Sequence, residues 1–218
     1  DSIVRDEAQL ENQFRERGIL LKEVHHRVKN NLQLISSIMS MQMRRTGDTQ
    51  TRSIVARLQE RVLGLATIHR ILYQDEDVGR VDAARLLREI AEQQAAGSNA
   101  PALRLSLDQV ELLPDQAVPL ALLTAEAVAN ARAALARDAG ESWIAITLAR
   151  EDEEGVRLEI VNPLGGSAPA ETRGLGLNLI QAFAAQLGTQ SRVDRDDGTY
   201  RLTVRFEVQA TQPEALDY

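Results

Sequence analysis

The chain has no cysteine, which removes disulfides, thiol nucleophiles and cysteine metal sites together. Aromatic residues make up 3% of it, so the core must be aliphatic, and its alanine and leucine content favours helices. Histidine is scarce too: His25, His26 and His69 are the three. They come without an HExxH spacing or clustered carboxylates, so a zinc site is not expected. A basic surplus is also missing. The formal net charge is −7, and without spare cations to neutralise phosphates, nucleic acid is not expected as a partner. The most apolar window, Ala117 to Ala136, is interrupted by Glu126, Asn130 and Arg132, so no membrane span is expected. No secretory leader is visible at Asp1. The chain begins inside a charged helical pattern, Asp1 to Glu16, which fits upstream segments in a longer parent protein.

With 218 residues, 44% of them hydrophobic, the chain can build two modest domains or one domain with a helical extension. Its first clear element is an amphipathic helix running to about Met43. At about 100° per residue, Leu21, Val24, Val28, Leu32, Ile35 and Met39 fall on one narrow apolar stripe. His26 lies on the opposite side, with Asn30 one turn along and Gln33 and Ser37 continuing the polar face. A solvent-facing imidazole with an amide four residues on is suited to carry a transferable group. The alternative is a surface histidine with polar neighbours. His25, at the flank of the seam, reads as structural.

Residues Arg44 to Thr49 supply a turn. A second helix then runs to about Tyr73, with Val55, Leu58, Val62, Leu65, His69 and Leu72 on one stripe. His69, on the apolar side, reads as a core histidine hydrogen-bonded across a bundle. Two antiparallel helices bury both stripes poorly by themselves, so a dimeric four-helix bundle is expected. After the polar linker Gln74 to Gly79 the pattern changes. Val81 to Ala96 is helical; Leu103, Leu105 and Leu107 alternate as a strand; Asp115 to Arg137 is a long alanine-rich helix. Trp143 to Leu148 and Val156 to Val161 read as strands joined by the acidic turn Glu151 to Gly155. Gly174 to Leu187 is helical, and Tyr200 to Val208 alternates as a last strand, entered through Asp196-Asp197-Gly198. Such a mixture predicts a layered α/β domain with a mixed sheet.

These residues carry a family resemblance. Leu21 through Ser37, containing His25-His26-Arg27-Val28-Lys29-Asn30, resembles the phosphoacceptor helix of the HRxxN class of sensor histidine kinases, related to the HWE kinases. Arg61-Val62, Ile68-His69 and Leu72-Tyr73 are similar to that class's second helix. Asp115 to Leu123, leading to Glu126 and Asn130, resembles the N-box helix of its ATP-binding domain. Arg173-Gly174-Leu175-Gly176-Leu177, with Ala184 to Gly188, resembles the second glycine box and the helix after it. The four blocks stand in order over nearly the whole chain after about residue 18.

The resemblance implies an α+β protein. An N-terminal antiparallel helical hairpin (1–76) forms a four-helix bundle on dimerisation and transfers phosphoryl groups; a GHKL-type α/β sandwich with a mixed sheet (80–210) and a tail (211–218) follow. It implies that His26 is the phosphoacceptor, helped by Arg27 and Asn30, and that the phosphoryl group passes to the aspartate of a response regulator receiver domain. Nucleotide would be held by Glu126, Asn130, Asn162, Gly166, Gly174 and Gly176, with Glu126 and Asn130 meeting magnesium through ATP. A polar strip on an amphipathic helix is the alternative for Glu126 and Asn130. Helix capping is the alternative for Gly174 and Gly176. The implied setting is cytoplasmic, or the cytoplasmic part of a longer membrane-anchored sensor, with upstream sensor segments or another phosphorylated protein as further partners.

There are departures from the family pattern. Ala133 and Ala134 replace a basic or histidine pair after the N-box asparagine. Asn162-Pro163-Leu164-Gly165-Gly166 replaces DxGxG, so Asn162 brings a carbonyl acceptor without charge, and Leu164 carries a Cβ where a positive φ would favour glycine. Ser167 to Arg173 leave room for only a short lid. Three readings follow: a phosphotransfer protein with weak or absent ATP autokinase activity, an active ATP-dependent kinase, and a non-catalytic helical dimerisation module. On the first reading, Asn162→Asp with Leu164→Gly is expected to raise ATP affinity.

Overall fold

A computed structural model of the chain describes residues 24, 26–28, 30–41, 44, 47–73, 80–97, 100–135, 142–164 and 175–209. Leu21, His25, Met43, the 74–79 linker, Gly166, the 167–173 lid, Gly174 and the 211–218 tail lie outside them. The chain divides into two compact units, Asp1–Glu76 and Asp77–Tyr218.

In the first unit, residues 24, 26–28 and 30–41 are helical and form α1, and Thr49–Tyr73 form α2. Asp48 caps α2, its carboxylate accepting from the backbone N–H of Thr51 at 2.8 Å, which satisfies one of the free amides of the first turn. The seam between the helices is partly polar. Ser36 is buried while Ile35 beside it is 42% exposed. Gln59 of α2 reaches across, its Nε2 donating to the Ser36 hydroxyl at 3.2 Å and to the Ser40 hydroxyl. The predicted stripes are therefore rolled relative to the contact. Val28, Leu32 and Met39 on α1 and Val55, Val62 and His69 on α2 are only half-buried. Val24, Ile35, Leu58 and Leu65 are exposed. His69, expected in a core, is half-covered within one chain.

The second unit opens with β1 (Val81–Asp82), α3 (Ala83–Gln94), β2 (Ala102–Leu107), β3 (Glu111–Leu112) and α4 (Pro114–Leu135). It continues with β4 (Trp143–Arg150), β5 (Gly155–Pro163), α5 (Leu175–Gln186), β6 (Ser191–Asp196) and β7 (Thr199–Glu207). The main sheet has the order β2-β4-β5-β7-β6, with β2 parallel to β4 and the other pairs antiparallel. The α+β class and mixed sheet expected from the sequence are thus present. Two details differ. Val81 and Asp82 pair with Leu112 and Glu111, so the helix expected from Val81 starts at Ala83, with Asp82 as its cap. The edge strand β6 has no counterpart in the sequence pattern. Its sequence Ser-Arg-Val-Asp-Arg-Asp is half-exposed or exposed throughout and gives no apolar alternation.

One sheet face carries Ile144, Ile146, Leu148, Val156, Leu158, Ile160, Leu202, Val204 and Phe206, all buried, and packs under the helix layer. α4 is the central helix, touching α3 and α5 on either side and β4 and β5 below. It is long and apolar enough to cross a membrane by length and composition, yet its apolar residues form this core. Gln116, buried near its start, donates to Glu207 O at 2.7 Å and accepts from Gln209 N–H at 3.0 Å, fastening the end of β7 to α4. The other sheet face is charged: Glu151 pairs with Arg157 and Arg205, and Glu159 with Arg157 and Arg201.

Candidate functional site

The candidate residues fall into two sets, one in each unit. On α1, His26, Arg27, Asn30, Gln33 and Ser37 are all exposed. With a 3.6-residue turn, His26, Asn30 and Ser37 share a face that lies about 80–120° around the helix from Ser36, which contacts α2. The Ser37 hydroxyl donates to the Gln33 carbonyl at 3.0 Å, so it is occupied by its own helix. The imidazole in this position is exposed to solvent, as the wheel predicts.

The second set lies where α4 meets the first turn of α5. Glu126 is buried and Asn130 half-buried on α4, and Gly176 of α5 sits directly against both. A β-carbon at Gly176 would come within 2.7 Å of Glu126 Oε1 and 2.9 Å of Asn130 Nδ2. The absence of a side chain leaves room for the ends of the Glu126 and Asn130 side chains, and it sets a carboxylate and an amide beside backbone N–H groups at a helix start. Hard oxygen donors beside such amides fit a magnesium-bound polyphosphate. Ala133 is exposed and Ala134 half-buried at the end of the same helix.

Asn162 stands at the end of β5. Its position in register with Val156, Leu158 and Ile160 turns it to the helix-facing side, and it is 4% exposed. Its Nδ2 donates to Pro163 O at 2.9 Å, so Oδ1 is the side chain's acceptor. Leu164 departs from the expectation. Asp197 alone among the described non-glycine residues has a positive φ, so Leu164 stands on ordinary backbone and its Cβ incurs no strain. Its N–H extends the ladder to Gly198 O at 2.7 Å. Asp197 and Gly198, at φ 49° and 72°, form the tight β6–β7 hairpin that the Asp-Gly pair favours.

Sequence reasoning missed the residues beside Asn162. Tyr200 is its cross-strand partner, and Arg195 is the partner of Tyr200. Burial raises the Tyr200 phenol above its ordinary range, and the charge of Arg195 opposes this. The guanidinium lies 5.9 Å from the ring centroid. Only strand register brings these three together, so no local pattern announces them.

Comparison with known proteins bears on both units. Residues 23–96 match the family model HisKA_2, described as histidine kinase. The sensor histidine kinase PdtaS of Mycolicibacterium smegmatis is 32% identical over 80 residues, 34% of this chain and 16% of that protein. PdtaS of Mycobacterium tuberculosis is 28% identical over 134 residues, 59% of this chain and 27% of that protein. The chain therefore spans well under half the length of these relatives. Among solved structures, the histidine kinase domain of the Erythrobacter litoralis EL346 blue-light activated histidine kinase superposes with a TM-score of 0.58 at 16% identity, covering 82% of this chain and 94% of that one. The longer EL346 structure gives 0.60 at 21% identity, covering 87% and 59%. At such identities these two speak for the fold alone, while the sequence matches show that residues 23–96 fit the histidine kinase family model and that the chain is similar to sensor histidine kinases.

Proposed function

We propose that this chain is a histidine phosphotransfer protein, phosphorylated on His26, that exchanges phosphoryl groups with the aspartate of a response regulator receiver domain and has weak or absent ATP autokinase activity. The observation that carries this is the position of His26: exposed on α1, within the matched histidine kinase segment, with Asn30 one turn away. A neutral imidazole nitrogen attacks phosphorus as the bond to the donor oxygen breaks. The aspartate carboxylate later attacks the same phosphorus and frees the imidazole. Positioning supplies most of the catalysis in such transfers. Arg27 offsets charge near the phosphoryl oxygens, and Asn30 orients the incoming carboxylate or a hydrolytic water. Mg-ATP, when bound, supplies the phosphoryl group. The neutral Asn162 amide, in place of a charged anchor, supports weak nucleotide binding.

A homodimer is part of this reading. Val24, Ile35 and Ile38 on α1 are exposed, as are Leu58 and Leu65 on α2. A single hairpin leaves these apolar side chains uncovered; a second copy covers them and completes four helices. A fully active ATP-dependent kinase is the second reading, favoured by the convergence of Glu126, Asn130 and Gly176.

The test is phosphorylation of the purified chain, first by γ-labelled ATP and then by a phosphorylated receiver domain. His26→Ala is expected to abolish labelling from both. Label found on His25 by mass spectrometry would reject the assignment. Asn30→Ala is expected to slow dephosphorylation of the regulator more than phosphoryl transfer to it. Fast labelling by micromolar ATP would select the second reading.

A further inference from the structure

We infer that Gln59 is a positioning residue for phosphoryl transfer: its hydrogen bonds to Ser36 and Ser40 set the roll of α1 about its own axis, and so the direction in which His26 faces. This rests on the phosphotransfer reading given above. Gln59 reaches across from α2, and its Nε2 meets three oxygens of α1. These are the Ser36 carbonyl at 3.3 Å, the Ser36 hydroxyl at 3.2 Å and the Ser40 hydroxyl. The Ser40 hydroxyl in turn donates to the Ser36 carbonyl at 3.1 Å. One turn of α1 is thus tied to one side chain of α2, where Ser36 is buried and Ser40 and Gln59 are half-buried.

The alignment that this cluster excludes is written in the same helix. At about 100° per residue, the apolar stripe of Val24, Val28, Leu32, Ile35 and Met39 centres about 100° around α1 from the Ser36–Ser40 line. His26 and Asn30 lie about 60–100° from that line on the opposite flank. Hydrophobic burial alone would turn the stripe onto α2. That roll would leave the Gln59 amide among apolar groups and without its acceptors, which is costly in a partly dry seam. A polar contact of this kind fixes one alignment of two helices at some expense of stability. The roll bears on the reaction because an α-helix with its side chains is about 10–12 Å across, so a turn of about 100° carries a group on its rim through about 8 Å. Transfer needs reacting atoms about 3–3.5 Å apart. A receiver domain held by both helices therefore meets the imidazole in only one roll.

The test compares two reactions of His26 in the whole chain. One is labelling by phosphoramidate, a donor small enough to reach an exposed imidazole from any side. The other is passage of that label to a receiver domain, chosen from a panel because the parent chain phosphorylates it. Gln59→Leu is expected to leave labelling by phosphoramidate as in the parent and to slow transfer to the receiver at least about tenfold. Ser36→Ala with Ser40→Ala removes the hydroxyl acceptors and keeps Gln59. It is expected to give the same selective loss, with no further loss when combined with Gln59→Leu. Equal slowing of both reactions by Gln59→Leu overturns the role of Gln59, because general loss of the hairpin would do the same. Transfer at the parent rate in either variant also overturns it and leaves the phosphotransfer reading standing. A parent chain that takes no label on His26, or passes none to any receiver domain of the panel, rejects both readings.

Discussion

At the scale of single residues, Asn162 and Gly176 separate what looks degenerate from what is. Asn162 replaces a family aspartate, and restoring the charge would seem a gain. Its Nδ2, however, donates to Pro163 O at 2.9 Å. A carboxylate there would put two oxygens face to face and lose that hydrogen bond. Asn162→Asp is expected to lower stability by about 1–3 kcal/mol without tightening ATP, as denaturant titration and calorimetry would show. Leu164→Gly, on unstrained backbone, is expected to add nothing to it, so the structure argues against the rise in ATP affinity that the sequence suggests for the pair. Tighter ATP binding by Asn162→Asp would mean that the amide flips freely. Gly176→Ala makes the opposite case. The added methyl meets the ends of the Glu126 and Asn130 side chains, which swing aside more easily than backbone. Stability is expected to change by less than about 1 kcal/mol, while Mg-ATP binding falls at least tenfold. A variant that binds nucleotide like the parent would remove Glu126 and Asn130 from the site.

At the scale of elements, helix starts and strand edges decide where the chain departs from its local pattern. α3 begins at Ala83 because Asp82 is paired with Glu111 and its carboxylate accepts from Arg85 N–H at 3.2 Å. Asp82→Ala is expected to cost about 1 kcal/mol, read as a lower midpoint in urea with an unchanged slope. An unchanged midpoint would show that the β1–β3 pair, rather than the cap, fixes the start of the helix. β6 is the converse case. It forms because β7 offers a free edge from Thr199 to Val204 and because Gln181 of α5 donates to Ser191 O at 3.2 Å. Neither partner is local. The central strands were readable because burial on one face imposes alternation, whereas an edge strand exposed on both faces carries none.

At the scale of the whole molecule, the apolar face of the hairpin makes the strongest demand. Ile35 and Leu65 are exposed in one chain, and a charge on either would be trapped if a second copy covered them. Ile35→Glu combined with Leu65→Glu is expected to convert a dimer to a monomer by light scattering at micromolar concentration. A parent chain that already scatters as a monomer would remove the four-helix bundle from the proposal. The ion-paired open sheet face makes no comparable demand, because its charges satisfy one another.

The sequence by itself determined the helical hairpin, the exposed placement of His26 and Asn30, the central strands and the α+β class. All of these follow from periodicity, which the chain must obey wherever one side of an element is wet and the other dry. It also carried the family resemblance, since ordered motifs are local strings. Only the tertiary structure decided the rest. It rolled the seam so that Ser36, Ser40 and Gln59 meet between the helices, and it brought Gly176 against Glu126 and Asn130 across about fifty intervening residues. It relieved Leu164 of the strain its position suggested, and it set Tyr200 and Arg195 beside Asn162. Each of these depends on register between distant segments. Register is fixed by the fit of whole surfaces, so no window of sequence contains it.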